Sequence, residues 1–185
     1  MEMTDGGHRI RLVLRAQAGD REAAEELLRG IQGALLAYIR RLVGRADAED
    51  VLQGVFLQIV RNLDRLRDPA LFRPWAYRIS SREAFAFLRR KRRWSDSRDE
   101  EAVLEELPAP PGGEIPLLGE EMPELLEALS PASRAVLLLH YVHDMTIEET
   151  AAILKIGSGT VKSRLSYGLS CLRNTMNRKG QRHVG

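Results

Sequence analysis

Apolar positions recur along this chain at three- and four-residue intervals, and almost nowhere in the alternation that a half-buried strand requires. The longest run spans 20–43. Leu27, Leu28, Ile31, Leu35, Ile39 and Leu42 form its inner side, Asp20 stands at the N-cap, and Gly44 stands where a left-handed residue ends a helix. A shorter run, 10–18, precedes it and closes at Gly19, behind a few loose N-terminal residues. Asp47 opens a third helix, with Asp50 at its N3 position and Leu52, Val55, Phe56, Ile59 and Leu63 turned inward. Asp68-Pro69 interrupts the pattern, and Pro74 suits the first position of a fourth helix ending in five consecutive cations at 89–93.

Periodicity then lapses between 94 and 122, where PAPPGG occupies 108–113. Val103, Leu104 and Leu107 suffice for no more than a brief helix there. It resumes with a helix over 123–129, an N-cap and first-turn proline at Ser130-Pro131, and a helix carried on by 136–141. The spacing predicts an all-α fold of two small helical domains, 1–93 and 123–185, joined by a flexible acidic linker, 94–122.

Charge sharpens that division. The net charge is only +2. Yet residues 1–93 hold 19 Lys and Arg against 12 Asp and Glu, residues 94–122 hold 1 against 9, and residues 123–185 hold 8 against 5. Two basic blocks around an acidic spacer suit two surfaces for a polyanion. A single cysteine excludes an intrachain disulfide and fits a reducing compartment. No apolar run nears the roughly 18 residues of a membrane span, and the start MEMTDGGHR lacks a signal-peptide core. These features lead to the expectation of a cytoplasmic protein.

The stretch TIEETAAILKIGSGTVKSRLSYGLSCLR, 146–173, reads as two helices around a tight turn. Thr146 and Glu149 form a capping box; Ile147, Ala151 and Leu154 share one face. Ile156-Gly157 breaks the run and Ser158 offers a new cap. In the second helix Val161, Leu165, Leu169 and Leu172 make a packing stripe, with Gly168 beside it. Ser163, Ser166, Tyr167 and Ser170 point away from the stripe, and Lys162 and Arg164 flank it. Short hydroxyls and a tyrosine suit base edges in a major groove, and cations suit phosphates. An ordinary helical hairpin with a solvated face shares this geometry.

In the first domain Asp47, Glu49, Asp50 and Gln53 gather at the start of the third helix. Dipole stabilisation explains such a cluster; so does a basic partner. On the fourth helix Phe72, Trp75 and Tyr77 interleave with Arg73, Arg78 and Arg82, and Arg89 and Arg90 lie in the terminal basic run. Stacking faces beside cations are what single-stranded nucleic acid requires, although core packing is the commoner fate of such aromatics. His140 and His143, with Asp144 close by, have a possible metal-ligand spacing. No third ligand shares their face, so neither a metal site nor a catalytic residue is expected.

Three blocks together resemble the extracytoplasmic-function sigma factors of bacterial RNA polymerase: DAEDVLQGVFLQIVRNLDRLRD (47–68), FRPWAYRI (72–79) followed by LRRKRR (88–93), and AAILKIGSGTVKSR (151–164). The resemblance implies a first domain that grips the clamp helices of core RNA polymerase and melts the −10 element. It also implies a second domain whose helix-turn-helix reads the −35 element. Asp47, Glu49, Asp50 and Gln53 then match the polymerase-facing block, 72–82 the melting block, and Thr160, Lys162, Ser163 and Arg164 the recognition helix, which Ser166 and Tyr167 extend. The acidic linker would run toward the RNA path. Core polymerase and promoter DNA, duplex and melted, are the implied partners, an anti-sigma factor is a further one, and no cofactor is called for.

This chain departs from the family pattern at several points. Gly54 stands where a carboxylate usually follows the glutamine. Ser80-Ser81-Arg82 ends without the usual asparagine, and Lys155 takes the usual turn glycine. Tyr167-Gly168 replaces a more basic pair. Two other classes compete: a stand-alone helix-turn-helix regulator, which would leave the first domain's patches idle, and a metal-dependent nucleic-acid enzyme, which no catalytic cluster supports.

Overall fold

The computed structural model describes residues 3–94, 126 and 129–182, and the chain divides into two units, Met1–Trp94 and Ser95–Gly185. Among the described residues all regular structure is helical.

The first unit holds four helices: α1 (Met3–Gln17), α2 (Arg21–Val43), α3 (Ala48–Asn62) and α4 (Phe72–Trp94). Asp20 caps α2 as expected, its carboxylate accepting the Ala23 N–H at 3.0 Å and pairing with Arg15 at 2.7 Å. Those two contacts, the Ala23 bond foremost, hold its carboxyl below the ordinary range. Gly19 and Gly44 both adopt positive φ, which lets the chain turn sharply at either end of α2. The core is made by Leu27, Leu35 and Ile39 of α2, Val55 and Ile59 of α3, Phe72 and Tyr77 of α4, and Leu12 and Val13 of α1.

Four local expectations for this unit are corrected. First, α1 starts at Met3 rather than 10. Gly6 and Gly7 are poor helix formers, yet the helix runs through them, and His8 Nε2 meets Glu26 of α2 at 3.0 Å. Second, Phe56 is half-buried rather than interior. Third, Asp47 precedes α3 but makes no capping bond; its carboxylate accepts from Lys91 Nζ of α4 at 2.7 Å. Fourth, α4 begins at Phe72. Two 3₁₀ turns, Leu63–Arg65 and Pro69–Leu71, connect α3 to it. Asp68 caps the second turn, which flows into the helix, so Pro74 sits in the first turn, where its missing N–H leaves no bond unmade.

A polar contact lies at the centre of this core. The Ser81 hydroxyl donates to the Tyr77 carbonyl at 2.8 Å, so the Tyr38 hydroxyl, 2.8 Å away, must donate to Ser81. The Tyr38 and Tyr77 rings meet edge to face, 5.4 Å between centroids.

The second unit is built on α5 (Pro131–Leu137), α6 (Ile147–Leu154) and α7 (Ser158–Arg182). Ser130 caps α5 and Pro131 fills its first position. The helix widens into a π-helical turn, Leu138–Val142, and then turns through Asp144 at φ +53°. The capping box of α6 is complete: Thr146 N–H to Glu149 at 2.8 Å, Glu149 N–H to Thr146 Oγ1 at 3.1 Å. The left-handed residue of the following turn is Lys155, at φ +55°, and not Gly157. Val161, Leu165 and Leu172 of α7 are buried, Leu169 less so. Gly168 is buried against α5: a Cβ there would stand 2.6 Å from Leu137 Cδ1. The expected linker, 94–122, lies outside the described residues except for Trp94, and of the expected helix 123–129 only Leu126 and Leu129 are described, both buried.

Candidate nucleic-acid interface

Helix α4 presents two unlike sides. Phe72 and Tyr77 are both 0 % exposed. They face the same interior as Ala76, Ser80, Ser81 and Ala84, so the expectation that these two rings offer stacking surfaces is corrected; they are core. Trp75, 6.2 Å from Phe72, remains half-exposed. It shares a stripe with Arg78, Arg82 and Arg89 at spacings of three, four and seven, which places all four on one helix face. Arg78, Arg82, Arg89 and Arg90 are exposed. Among the described residues Arg82 pairs with Glu83 at 3.4 Å, a weak surface contact that leaves its charge available. Arg73 sits on the other side, its guanidinium 5.9 Å from the Tyr77 ring centroid. The arrangement sets Trp75 in a row of cations backed by a buried core.

Of the four acidic-patch residues on and before α3, two are engaged within the unit. Asp47 is held by Lys91, and Glu49 meets Arg40 of α2 at 3.1 Å. Asp50 and Gln53 are exposed. They continue along one stripe of α3 into Leu57 and Val60, each 57 % exposed. Sequence reasoning passed over these two. Their signal was the three–four–three spacing of 50, 53, 57 and 60, a seam suited to another helix.

On α7, Lys162 and Ser163 are exposed, and Thr160, Ser166 and Tyr167 are half-buried. The Ser163 hydroxyl donates to the Thr160 carbonyl at 3.1 Å and keeps its lone pairs outward. Arg164 is half-buried, its Nε without a partner among the described residues, and burial lowers its pKa. Tyr167 bonds to the Cys171 thiol, which raises its pKa. The outward face of the helix therefore centres on Lys162 and Ser163.

His140 and His143 do not converge. His140 Nδ1 lies 2.8 Å from the Met145 carbonyl, while His143 is buried. Among the described residues no group of three or more histidines, cysteines or acids is placed to hold a metal ion. No described helix is long and apolar enough to cross a membrane.

Residues 27–94 match the family model described as Sigma-70 region 2, and residues 119–172 match Sigma-70, region 4. The ECF RNA polymerase sigma-E factor of Escherichia coli (strain K12) is 31 % identical over 177 residues, covering 88 % of this chain and 91 % of that protein. The RNA polymerase sigma-E factor of Streptomyces coelicolor is 31 % identical over 156 residues, covering 82 % and 85 %. Among solved structures, the sigma factor RpoE from Bartonella quintana, in complex with the anti-sigma factor NepR, matches with a TM-score of 0.66 at 24 % identity, covering 83 % of this chain and 96 % of that one. CnrH, in complex with the cytosolic domain of CnrY, matches with a TM-score of 0.68 at 22 % identity, covering 92 % and 98 %.

Proposed function

The chain belongs to the extracytoplasmic-function sigma factors of RNA polymerase, and from that premise we propose how its two units divide the work of starting transcription. A sigma factor is a regulatory, non-catalytic partner of core polymerase that directs it to promoter DNA. Here the exposed stripe of α3, with Asp50, Gln53, Leu57 and Val60 at its centre and Asp47 and Glu49 at its edge, docks on core polymerase. The Trp75–Arg78–Arg82–Arg89 face of α4, with Arg90 beside it, holds the melted −10 strand, while Arg73 stands on the other side of the helix. Phe72 and Tyr77 serve that face from within, as the packing that keeps α4 straight behind it. The α7 face reads the −35 duplex, with Lys162 on phosphate, Ser163 nearest the base edges, and Thr160, Arg164, Ser166 and Tyr167 around them. The protein would then work beside polymerase in the cytoplasm, and an anti-sigma partner covering the α3 stripe would block the first step.

The observation that carries this reading is the two-sidedness of α4: Phe72 and Tyr77 are buried, whereas half-exposed Trp75 lies in one stripe with three exposed arginines. Extruding a base costs on the order of a few kcal/mol, so contacts available only to the open strand must return it. Run-off transcription with Arg78→Ala and Arg82→Ala on matched duplex and on templates pre-mismatched across the −10 element tests this. A several-fold loss on the duplex, largely recovered on the mismatched template, is expected. Equal loss on both would move melting away from α4.

A further inference from the structure

One side chain of α1 reaches the connection that delivers α4. The amide of Gln17, the last residue of α1, donates through Nε2 to two carbonyls at once, Leu63 at 2.8 Å and Leu66 at 2.8 Å. Both carbonyls belong to the 3₁₀ turn that ends α3, where backbone acceptors run out of intrahelical donors. The Leu66 N–H also closes on the Leu63 carbonyl at 3.1 Å, so the amide and the turn share one acceptor. Leu63, Leu66 and Phe72 are buried. Between them Arg67, Asp68, Ala70 and Leu71 are exposed, with Leu71 at 51 %. The segment is thus an outward arc pinned at its foot by two apolar side chains and by this one amide. Three residues past Phe72 stands Trp75, the first member of the α4 face.

We propose that Gln17 is a positioning residue for promoter melting: by fixing the Leu63 and Leu66 carbonyls it sets the arc through which α4 presents Trp75 and Arg78 to the open strand. This rests on the assignment of melting to α4. Apolar packing at Leu63 and Leu66 fixes how deep the turn lies but not its rotation, because packing is non-directional. Two hydrogen bonds from one planar amide fix the rotation. A change at Gln17 therefore acts on the approach of α4 to the strand without removing a side chain from the α4 face or from the α3 stripe.

The test uses the full chain with core polymerase and Gln17→Met, which keeps length and volume but donates nothing. Gln17→Glu, a second variant, turns an acceptor toward the two carbonyls. Both are compared with Arg82→Ala on matched and −10-mismatched templates, alongside amide hydrogen exchange of each protein alone. For Gln17→Met we expect faster exchange at the Leu66 and Leu71 amides with α2 protection unchanged, and unaltered core binding. Open-complex formation on matched duplex should fall about five-fold and recover on the mismatched template. Gln17→Glu should show the same pattern, more strongly. If Gln17→Met transcribes like the parent, or loses equally on both templates while Arg82→Ala recovers, the inference is overturned and the assignment of melting to α4 stands. If Arg82→Ala also fails to recover, the assignment falls and takes the inference with it.

Discussion

The helices assigned to the two promoter elements are seated by opposite means. Helix α4 rests on directional bonds: Tyr38 to Ser81, Ser81 to the Tyr77 carbonyl, and two tyrosine rings edge to face in the middle of an apolar core. Helix α7 is seated chiefly by shape, a valine–leucine stripe and one bare backbone position, Gly168, into which Leu137 of α5 fits. A directional seat has a few partners, each replaceable at moderate cost. A steric seat has no partner to lose, but it has no room either. The first fixes the rotation of α4 about its axis, which matters to a face one stripe wide. The second fixes the closeness of α7 to α5, which sets how far its outer face stands from the unit's centre.

The steepest way to break the contrast is at Gly168. A Cβ would sit 2.6 Å from Leu137 Cδ1 and 3.2 Å from its Cγ, and Leu137 has no solvent to swing into. Gly168→Val should destabilise the second unit by about 3 kcal/mol, the upper range of overpacking. Adding Leu137→Ala should recover part of that. Hydrogen exchange along α7 and binding of −35 duplex report it; parent-like protection in the single variant would mean the seat is slack.

Next comes the polar seat of α4. Tyr38→Phe leaves Ser81 its bond to Tyr77 and removes one donor, which should cost about 1–2 kcal/mol in urea unfolding followed by tryptophan fluorescence. The same residue supplies a pH signature. Burial foremost pushes the Tyr38 hydroxyl pKa far above its ordinary value of 10.0. Its contribution is therefore complete below pH about 10 and is lost as pH rises past it, at up to about 1.4 kcal/mol per unit. Tyr38→Phe should lack that slope; an unchanged slope would assign it to other groups.

The smallest effect sharpens the contrast from the other side. Thr150 of α6 is wholly buried, and its hydroxyl meets no hydrogen-bond partner among the described residues. In a unit held by shape, that oxygen is a burden, and Thr150→Val should raise stability by about 1 kcal/mol. A loss on substitution would mean the hydroxyl is satisfied and contributes to holding α6.

The sequence made the helical periods, the caps at Asp20, Ser130 and Thr146, and the stop at Gly44 legible, because each depends on residues within one turn of each other. It also showed Gly168 beside the packing stripe, though not that Leu137 fills the gap. What escaped it was long-range. Tyr77 lies only two residues from Trp75 and carries the same kind of ring, and only the position of α2 decides that one is core and the other accessible. Asp47 reads as a helix cap until Lys91, 44 residues later, is seen to take its carboxylate. Leu57 and Val60 went unremarked in the sequence, and they stand out only once α2 and α4 have used up the inner side of α3. Family resemblance placed the functional blocks, but it did not separate, within a block, the residues that face out from those that face in.

The α3 stripe has a thermodynamic consequence. Half of it is apolar, Leu57 and Val60, while the proposed DNA faces of α4 and α7 are cationic. Burying Leu57 and Val60 on a partner should carry a negative heat-capacity change, so that this part of the grip weakens on cooling, and salt acts there only through Asp50 and the acids at its edge. Neutralising phosphates with the cationic faces releases counterions, so that grip weakens steeply with salt. Loading onto polymerase should then be the more sensitive of the two steps to temperature, and engaging a promoter the more sensitive to salt. A cell that is chilled and a cell that is osmotically stressed would disturb this one chain at different steps.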